Sequence, residues 1–420
     1  MCFDLSLGRA SRRAEGQAGA GRRPFVWGVA IVTHHLDVDD IILNFDPAAP
    51  HSRFRAMLSA DDLLFAEAAL PSPVPWPAGA APTPAPLAKA PPDSADLSQF
   101  EGYDALVVTW TAAEASAMAT LFTPGHPTAS WYEYRHNVAS YVPLVSGKKA
   151  PFNDTRAEMA RYYHSLGLYF PCTVRGQRVL LFKSGLHLAY DGPQCPVRKL
   201  MAEIAAAVAP RVFITTGTGG GIGTGVKLGD VVVAGTVKFD CTSQFKNEQW
   251  AKASYPTSAL PAGAVAAMKP ALLDVNAARI PGARQTPQVF SAQHGAVVTT
   301  DFYAFDDSTD HYGLQGLGQA CDMGDAMVGQ ALQSSKSLSW YSIRNASDPQ
   351  IPNPNNNIEE ASKQSALIYA KYGGLTTASS LVATWAIIEA GAAAGREPEH
   401  AEISAGFKLG RIPPERKSKP

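Results

Sequence analysis

The sequence predicts an α/β fold, and three observations carry that prediction. From about residue 100 onward, short apolar β-branched runs alternate with segments whose apolar residues recur at helical spacing. The stretch from Val212 to Val233 reads VFITTGTGGGIGTGVKLGDVVV, two buried strands joined by a crossing rich in glycine and threonine. The chain has 420 residues, 46% of them hydrophobic, enough to bury at least one large core as two domains or as one domain with extensions.

Residues 1–23, rich in Arg, Gly and Ala, are expected to be disordered. An N-terminal extension follows over 24–70, with a strand at Phe25–Thr33, an acidic cluster at Asp37–Asp40 and a helix at Asp61–Leu70. The acidic cluster reads as a solvated turn or a cation site, but no hard-ion loop with spaced oxygen ligands follows it. Residues 71–93 repeat proline and alanine and form a semi-rigid linker or extended strap.

A strand is expected at Asp104–Trp110, then a helix at Ala112–Leu121 with Glu114 in its first turn. A carboxylate there complements the helix dipole, or projects from the carboxyl end of the strand, where open α/β sheets place ligands. Residues 124–176 read as an irregular aromatic insertion, part lid and part helix over Asp154–Leu166. Arg178–Lys183 restores a strand and Cys195–Ala209 a helix. Beyond the glycine crossing come a strand at Ala296–Asp301, the aromatic corner Phe302-Tyr303, a helical segment at Cys321–Leu332, and a strand at Trp340–Asp348. An asparagine-proline loop and two helices, Glu359–Gly373 and Thr376–Ala390, close the domain expected over 100–392, and a charged tail fills 395–420.

Composition removes several function classes. The formal net charge is -1, so no electrostatic argument favours nucleic acid or a membrane surface. No apolar run approaches the roughly 18 residues of a spanning helix. Five scattered cysteines without a CxxC pair suit a reduced, cytoplasmic compartment and suggest no zinc site. The glycine crossing fits neither the dinucleotide fingerprint nor the P-loop, so no cofactor is expected. What remains for it is a ligand's hydroxyl or anionic group, or a purely structural connection.

Taken together, Ala105–Glu114, Thr216-Gly-Thr-Gly-Gly220 with Leu228-Gly-Asp-Val-Val-Val233, Asp322-Met323 and Ile343-Arg-Asn-Ala-Ser-Asp348 resemble the superfamily of purine nucleoside phosphorylases and methylthioadenosine/adenosylhomocysteine nucleosidases. The resemblance spans about residues 100–392. It implies a three-layer α/β sandwich around a mixed, partly closed central sheet, and a homo-oligomer that binds a small-molecule nucleoside, with water or phosphate as co-substrate.

The resemblance also implies roles. Cleaving the N-glycosidic bond puts positive charge on the sugar and negative charge on the departing base, so an acid must protonate the base. Asp348 matches that general acid, with Ser347 and Arg344 expected to position it; alone, it would read as a turn or helix cap before Pro349. Glu114 matches the water-activating glutamate of the nucleosidases. Thr216, Thr218 and Gly219 are expected near sugar and base, with Tyr303 against the purine and Phe302 assisting. The family's phosphate-binding arginines are missing, because Thr215 stands at one position and the loop Thr109–Glu114 holds no basic residue. Hydrolysis of a (methylthio)adenosine-like nucleoside is therefore the first expectation. A phosphorylase using Arg135, Arg156 or an arginine from a neighbouring subunit, or a non-catalytic nucleoside sensor, are the alternatives.

Two departures stand out. Where the family carries Glu-Met-Glu, whose second glutamate grips the ribose hydroxyls, this chain has Asp322-Met323-Gly324-Asp325. Either Asp325 takes over that grip or ribose binding is altered. The loop after the LGDVVV run also differs and leaves Asp240 as a weak candidate.

Overall fold

The computed structural model describes residues 74–145, 165–188 and 194–393, apart from 93, 277–279, 281 and 336. The strand expected at 25–33, the cluster at 37–40, the helix at 61–70, nearly all of the helix over 154–166 and the tail from 395 lie outside those residues.

Among the described residues eleven strands form one mixed sheet. In chain order they are β1 (Thr83–Pro84), β2 (Ala105–Thr109), β3 (Tyr132–Tyr134), β4 (Gly167–Val174), β5 (Gln177–Ser184), β6 (Val212–Gly221), β7 (Val231–Phe239), β8 (Ser254–Pro256), β9 (Val289–Thr299), β10 (Ala320–Asp322) and β11 (Ser339–Asp348). The order is β1-β4-β5-β2-β6-β10-β9-β7-β11, and β11 pairs back onto β6. Five strands thus close into a ring, while β2, β5, β4 and β1 extend from it as an open wing; this is the partly closed mixed sheet that the resemblance implies.

Among the described residues five α-helices cover the sheet: α1 (Ala112–Phe122), α2 (Pro196–Val208), α3 (Ala264–Asn276), α4 (Asp325–Leu332) and α5 (Ile358–Ala393). Strand alternation sorts the core into two halves. Leu106, Val108 and Phe213 face one side with Leu200 and Ile204 of α2 and Met327 of α4. Val107 and Ile214 face the other with Met118 of α1, Met268 of α3 and Leu381 and Trp385 of α5. Helix, sheet and helix make the three layers.

Register explains where the site falls. β2 runs parallel to β6 with Val107 opposite Ile214, and β6 runs parallel to β11 with Thr215 opposite Ser342. Their carboxyl ends are therefore adjacent, which brings the start of α1, the glycines of β6 and Asp348 to one edge of the ring.

Several elements differ from expectation. The glycines 217–221 continue β6 rather than forming a turn, and the actual crossing is 222–230. Residues 124–176, expected to be irregular, supply β3 and β4, with β4 paired along its whole length to β5. The two C-terminal helices are one, α5, and α3 lies where no helix was expected. Residues 74–92 lie against the domain as a strap: β1 pairs with β4, Ala80 is fully buried, and the Trp385 indole N–H donates to Ala80 O at 2.7 Å. Cys172, Cys195, Cys241 and Cys321 are buried and form no disulfide, and no helix among the described residues is long and apolar enough to cross a membrane.

Candidate active site

A pocket opens at the edge where β2, β6 and β11 end, and Glu114 and Asp348 both line it. Glu114 arrives there through helix capping. Thr111 is the N-cap of α1, its hydroxyl accepting from Glu114 N at 3.2 Å while the Glu114 carboxylate accepts from Thr111 N at 2.9 Å. The capping box and the pocket wall are thus one arrangement.

The carboxylate of Glu114 accepts five hydrogen bonds: Oε2 from Thr109 Oγ1, Trp110 N and Thr111 N, and Oε1 from Thr218 N and Oγ1, each between 2.7 and 2.9 Å. Burial raises its pKa, but the Arg344 guanidinium at 3.7 Å and the hydrogen bonds from Thr111 and Thr218 outweigh burial and hold the carboxyl below its ordinary value. Gly217, at φ +152, is where this carboxylate meets the sheet; a Cβ there would overlap it.

Asp348 sits in the opposite electrostatic environment. Its partners are hydroxyls, Ser347 Oγ donating to Oδ1 at 3.0 Å and Ser365 Oγ to Oδ2 at 2.9 Å. Burial pushes it up to about 6, against the lowering effect of those two bonds. The Tyr303 hydroxyl lies 2.5 Å from Ser365 Oγ; since the Ser365 proton goes to Asp348, Tyr303 is the donor in that pair.

Arg344 does not reach Asp348, contrary to the positioning role expected for it. Its guanidinium binds Asp325 through two hydrogen bonds, Nε to Oδ2 at 2.8 Å and Nη2 to Oδ1, and lies 3.1 Å from Asp322 Oδ2, with Nη1 donating to Thr218 O. All four ionisable groups of this cluster are buried. One guanidinium among three carboxylates leaves the cluster short of positive charge. Burial and the neighbouring Asp325 push the Asp322 pKa up, whereas Asp325 and Asp322 carry that of Arg344 further above its ordinary value despite burial.

Thr218, Gly219, Tyr303, Asp322, Met323 and Ser347 also line the pocket. Thr216, Phe302 and Asp325 do not. The Thr216 hydroxyl accepts from Thr384 on α5 at 2.9 Å, Phe302 packs on Tyr312 with ring centroids 5.1 Å apart, and Asp325 is spent on Arg344 and Ser342. Asp325 therefore does not take over the missing grip on a sugar. Asp240 pairs with Lys252, and Arg135 pairs with Glu133; neither lines the pocket, and Arg156 lies outside the described residues.

Among the pocket residues that were not singled out from the sequence are Trp110, His187 and Tyr369. His187 follows β5 at its carboxyl end, the same position relative to a strand that drew attention to Glu114. Burial pushes it down to about 3, so its imidazole is neutral at ordinary pH. Tyr369, from α5, lies 2.9 Å from the N-cap hydroxyl Thr111 Oγ1. Lys183 of β5 is pushed down to about 8 by burial, with the nearby Glu114 acting against that.

Comparison with known proteins accords with this architecture. The family model described as the phosphorylase superfamily matches residues 137–371, more than half of the chain. This chain belongs to the phosphorylase superfamily. The match begins beyond Glu114 and includes Asp322, Arg344 and Asp348. No curated protein matches this superfamily member. Among solved structures, it is similar to the 5′-methylthioadenosine/S-adenosylhomocysteine nucleosidase of Neisseria meningitidis in complex with methylthio-immucillin-A, at 17% identity, 68% of this chain and 99% of that one, and a TM-score of 0.39. The corresponding nucleosidase of Colwellia psychrerythraea, in complex with adenine, gives 15%, 69%, 96% and 0.42. The futalosine hydrolase of Helicobacter pylori gives 10%, 68%, 98% and 0.40.

Proposed function

We propose that this superfamily member is a nucleosidase that hydrolyses the N-glycosidic bond of a purine nucleoside. One observation carries the reading: a single pocket holds two carboxyl groups whose surroundings drive their pKa values apart, Asp348 up to about 6 and Glu114 below its ordinary value. Such a pair assigns acid and base roles. Protonated Asp348 gives its proton to the base as the C–N bond breaks and its electron pair leaves with the base. Water adds to the anomeric carbon and loses its proton to Glu114. Two of the five donors to Glu114 are rotatable hydroxyls, those of Thr109 and Thr218; Thr218 is the one that lines the pocket, and its movement admits that water.

Hydrolysis is favoured over phosphorolysis because Arg344, the one guanidinium among the described pocket-lining residues, is already committed to Asp325, Asp322 and Glu114. A phosphate dianion entering there would face carboxylates. The test is incubation with methylthioadenosine, adenosine, inosine and 2′-deoxyadenosine, with and without phosphate. Free base and free sugar in phosphate-free buffer are expected; strict dependence on phosphate would make the chain a phosphorylase, and binding without turnover a sensor.

A further inference from the structure

Among the described residues two tyrosines line the pocket, and each serves a different carboxyl group. Tyr369 meets the Thr111 hydroxyl, which caps the helix that presents Glu114. The Tyr303 hydroxyl lies 2.5 Å from Ser365 Oγ, which in turn donates to Asp348 Oδ2. A ring placed against a purine needs no hydroxyl, because phenylalanine offers the same face. Packing alone therefore does not account for the Tyr303 hydroxyl, whereas its bond to Ser365 does.

The segment that carries Tyr303 is tied down. Thr300 Oγ1 donates to Phe302 O at 2.8 Å, and the Asp301 carboxylate accepts from Thr242 N, Ser243 N and Phe245 N. The Tyr303 ring packs against Phe305, Ile351 and Ala361, the last of these one turn before Ser365 on α5. Ser365 is fully buried, and its hydroxyl bonds to Tyr303 and Asp348. An ionised Asp348 can only accept, so the Ser365 proton goes to Asp348 and the Tyr303 proton goes to Ser365. Burial and the nearby Asp348 hold the Tyr303 pKa well above its ordinary value, against the lowering effect of Ser365, so the phenol keeps the proton it donates. Hydrogen bonds aligned head to tail polarise one another, and the outer donor strengthens the inner one.

We propose, resting on the nucleosidase reading, that Tyr303 is a positioning residue for the general acid: through Ser365, its hydroxyl stabilises the negative charge that Asp348 acquires as it protonates the base. Donors already aimed at a charge that forms in the transition state need not reorient when it forms. Without the Tyr303 hydroxyl, Asp348 holds its proton more tightly and is the weaker acid. The other ionisable groups that face Asp348 are Cys321 on β10 and Tyr369 on α5; burial raises both, so they stay neutral while Asp348 titrates. Across the pocket Glu114 and Arg344 stay charged and His187 stays neutral. Asp322, raised by burial and Asp325, lies beside Arg344 and is the same in every variant below.

The test is a double-mutant cycle on the full chain: wild type, Tyr303→Phe, Ser365→Ala and the two combined. Urea unfolding of each protein and of its Asp348→Asn counterpart across pH isolates the titration of Asp348 without any substrate. Tyr303→Phe is expected to move that titration up by about 0.3–0.6 pH unit, and to lower kcat by up to about fourfold at pH 5 with little change in KM. In the Ser365→Ala background it should do neither. An unmoved titration overturns the inference, as does a stability loss that is the same at every pH. An equal shift in both backgrounds also overturns it, because Tyr303 would then not act through Ser365. Wild-type cleavage of a nucleoside together with any of these results leaves the nucleosidase reading intact. A shifted titration in a protein that cleaves no nucleoside overturns both.

Discussion

The hydroxyl of Ser365 donates to Asp348 Oδ2 at 2.9 Å, so a residue of α5 holds the buried carboxyl that ends β11. Because that bond favours the ionised form, it opposes burial in setting when Asp348 carries a proton. In the proposed reaction Asp348 must be protonated and Glu114 ionised. Activity is therefore expected to be highest below pH 6 and to fall as pH rises through about 6. Ser365→Ala removes a lowering influence and should move that fall to higher pH, read in the pH dependence of kcat/KM. Asp348→Asn should reduce turnover by about 10²–10⁴-fold.

The same group predicts that stability, like activity, falls as pH rises. Asp348 is raised from 3.8 to about 6 in the folded protein. Between those values the folded chain holds a proton that the unfolded chain has lost, so stability declines as pH rises through this window. Asp348→Asn abolishes the decline. The variant should match wild type below pH 4 and exceed it at pH 7.5 by on the order of 2–3 kcal/mol, measured by urea unfolding at both values.

Glu114→Gln should stop hydrolysis and also weaken the fold. The amide must turn its NH₂ toward N–H donors on one side or the other, since Trp110 N and Thr111 N face Oε2 and Thr218 N faces Oε1. A cost of about 1–3 kcal/mol follows from the unpaired buried donors. Unchanged turnover in a folded Glu114→Gln protein would remove Glu114 from the mechanism.

Gly217→Ala tests how closely the sheet and this carboxylate are fitted. The added methyl would overlap Glu114 at a backbone conformation that side chains rarely adopt. Activity should be lost and stability should fall by about 1–3 kcal/mol. A variant with wild-type melting and turnover would show that Glu114 can move away freely.

Arg344→Gln leaves Asp325, Asp322 and Glu114 buried without their cation. Loss of about 3–5 kcal/mol is expected at pH 7. The loss should be smaller at pH 5, where Asp322 and Glu114, whose pKa values the guanidinium holds down, take up protons in place of the lost charge. Paired unfolding curves at the two pH values measure this.

Much of the fold was legible because strands and helices announce themselves by local period, and the apolar runs at β2, β5, β6 and β11 are unambiguous. The glycines of β6 were harder. They permit close approach, as their composition suggests, but it is Glu114, a distant residue, that approaches at Gly217, and the chain stays extended there. Gly373 and Gly374 look like a helix break, yet α5 runs through them; a Cβ at Gly373 would lie 3.0 Å from the ring of Tyr369 one turn earlier, so the glycine makes room for a pocket residue. In the site, Glu114 and Asp348 stood out through motif context. Ser365, Tyr369 and His187 come together with them only through tertiary packing, and Arg344 was assigned the wrong partner because sequence adjacency to Ser347 and Asp348 says nothing of which face of β11 it leaves from.

α5 touches both halves of the pocket. Ser365 binds Asp348, Tyr369 meets the N-cap that presents Glu114, and further along Ser380 and Thr384 bond to Asn345 on β11 and Thr216 on β6. One continuous rod therefore fixes the span between proton donor and proton acceptor. Thermal inactivation should consequently be a single event in which donor and acceptor lose registry together, leaving no intermediate that keeps one limb of the pH profile and lacks the other.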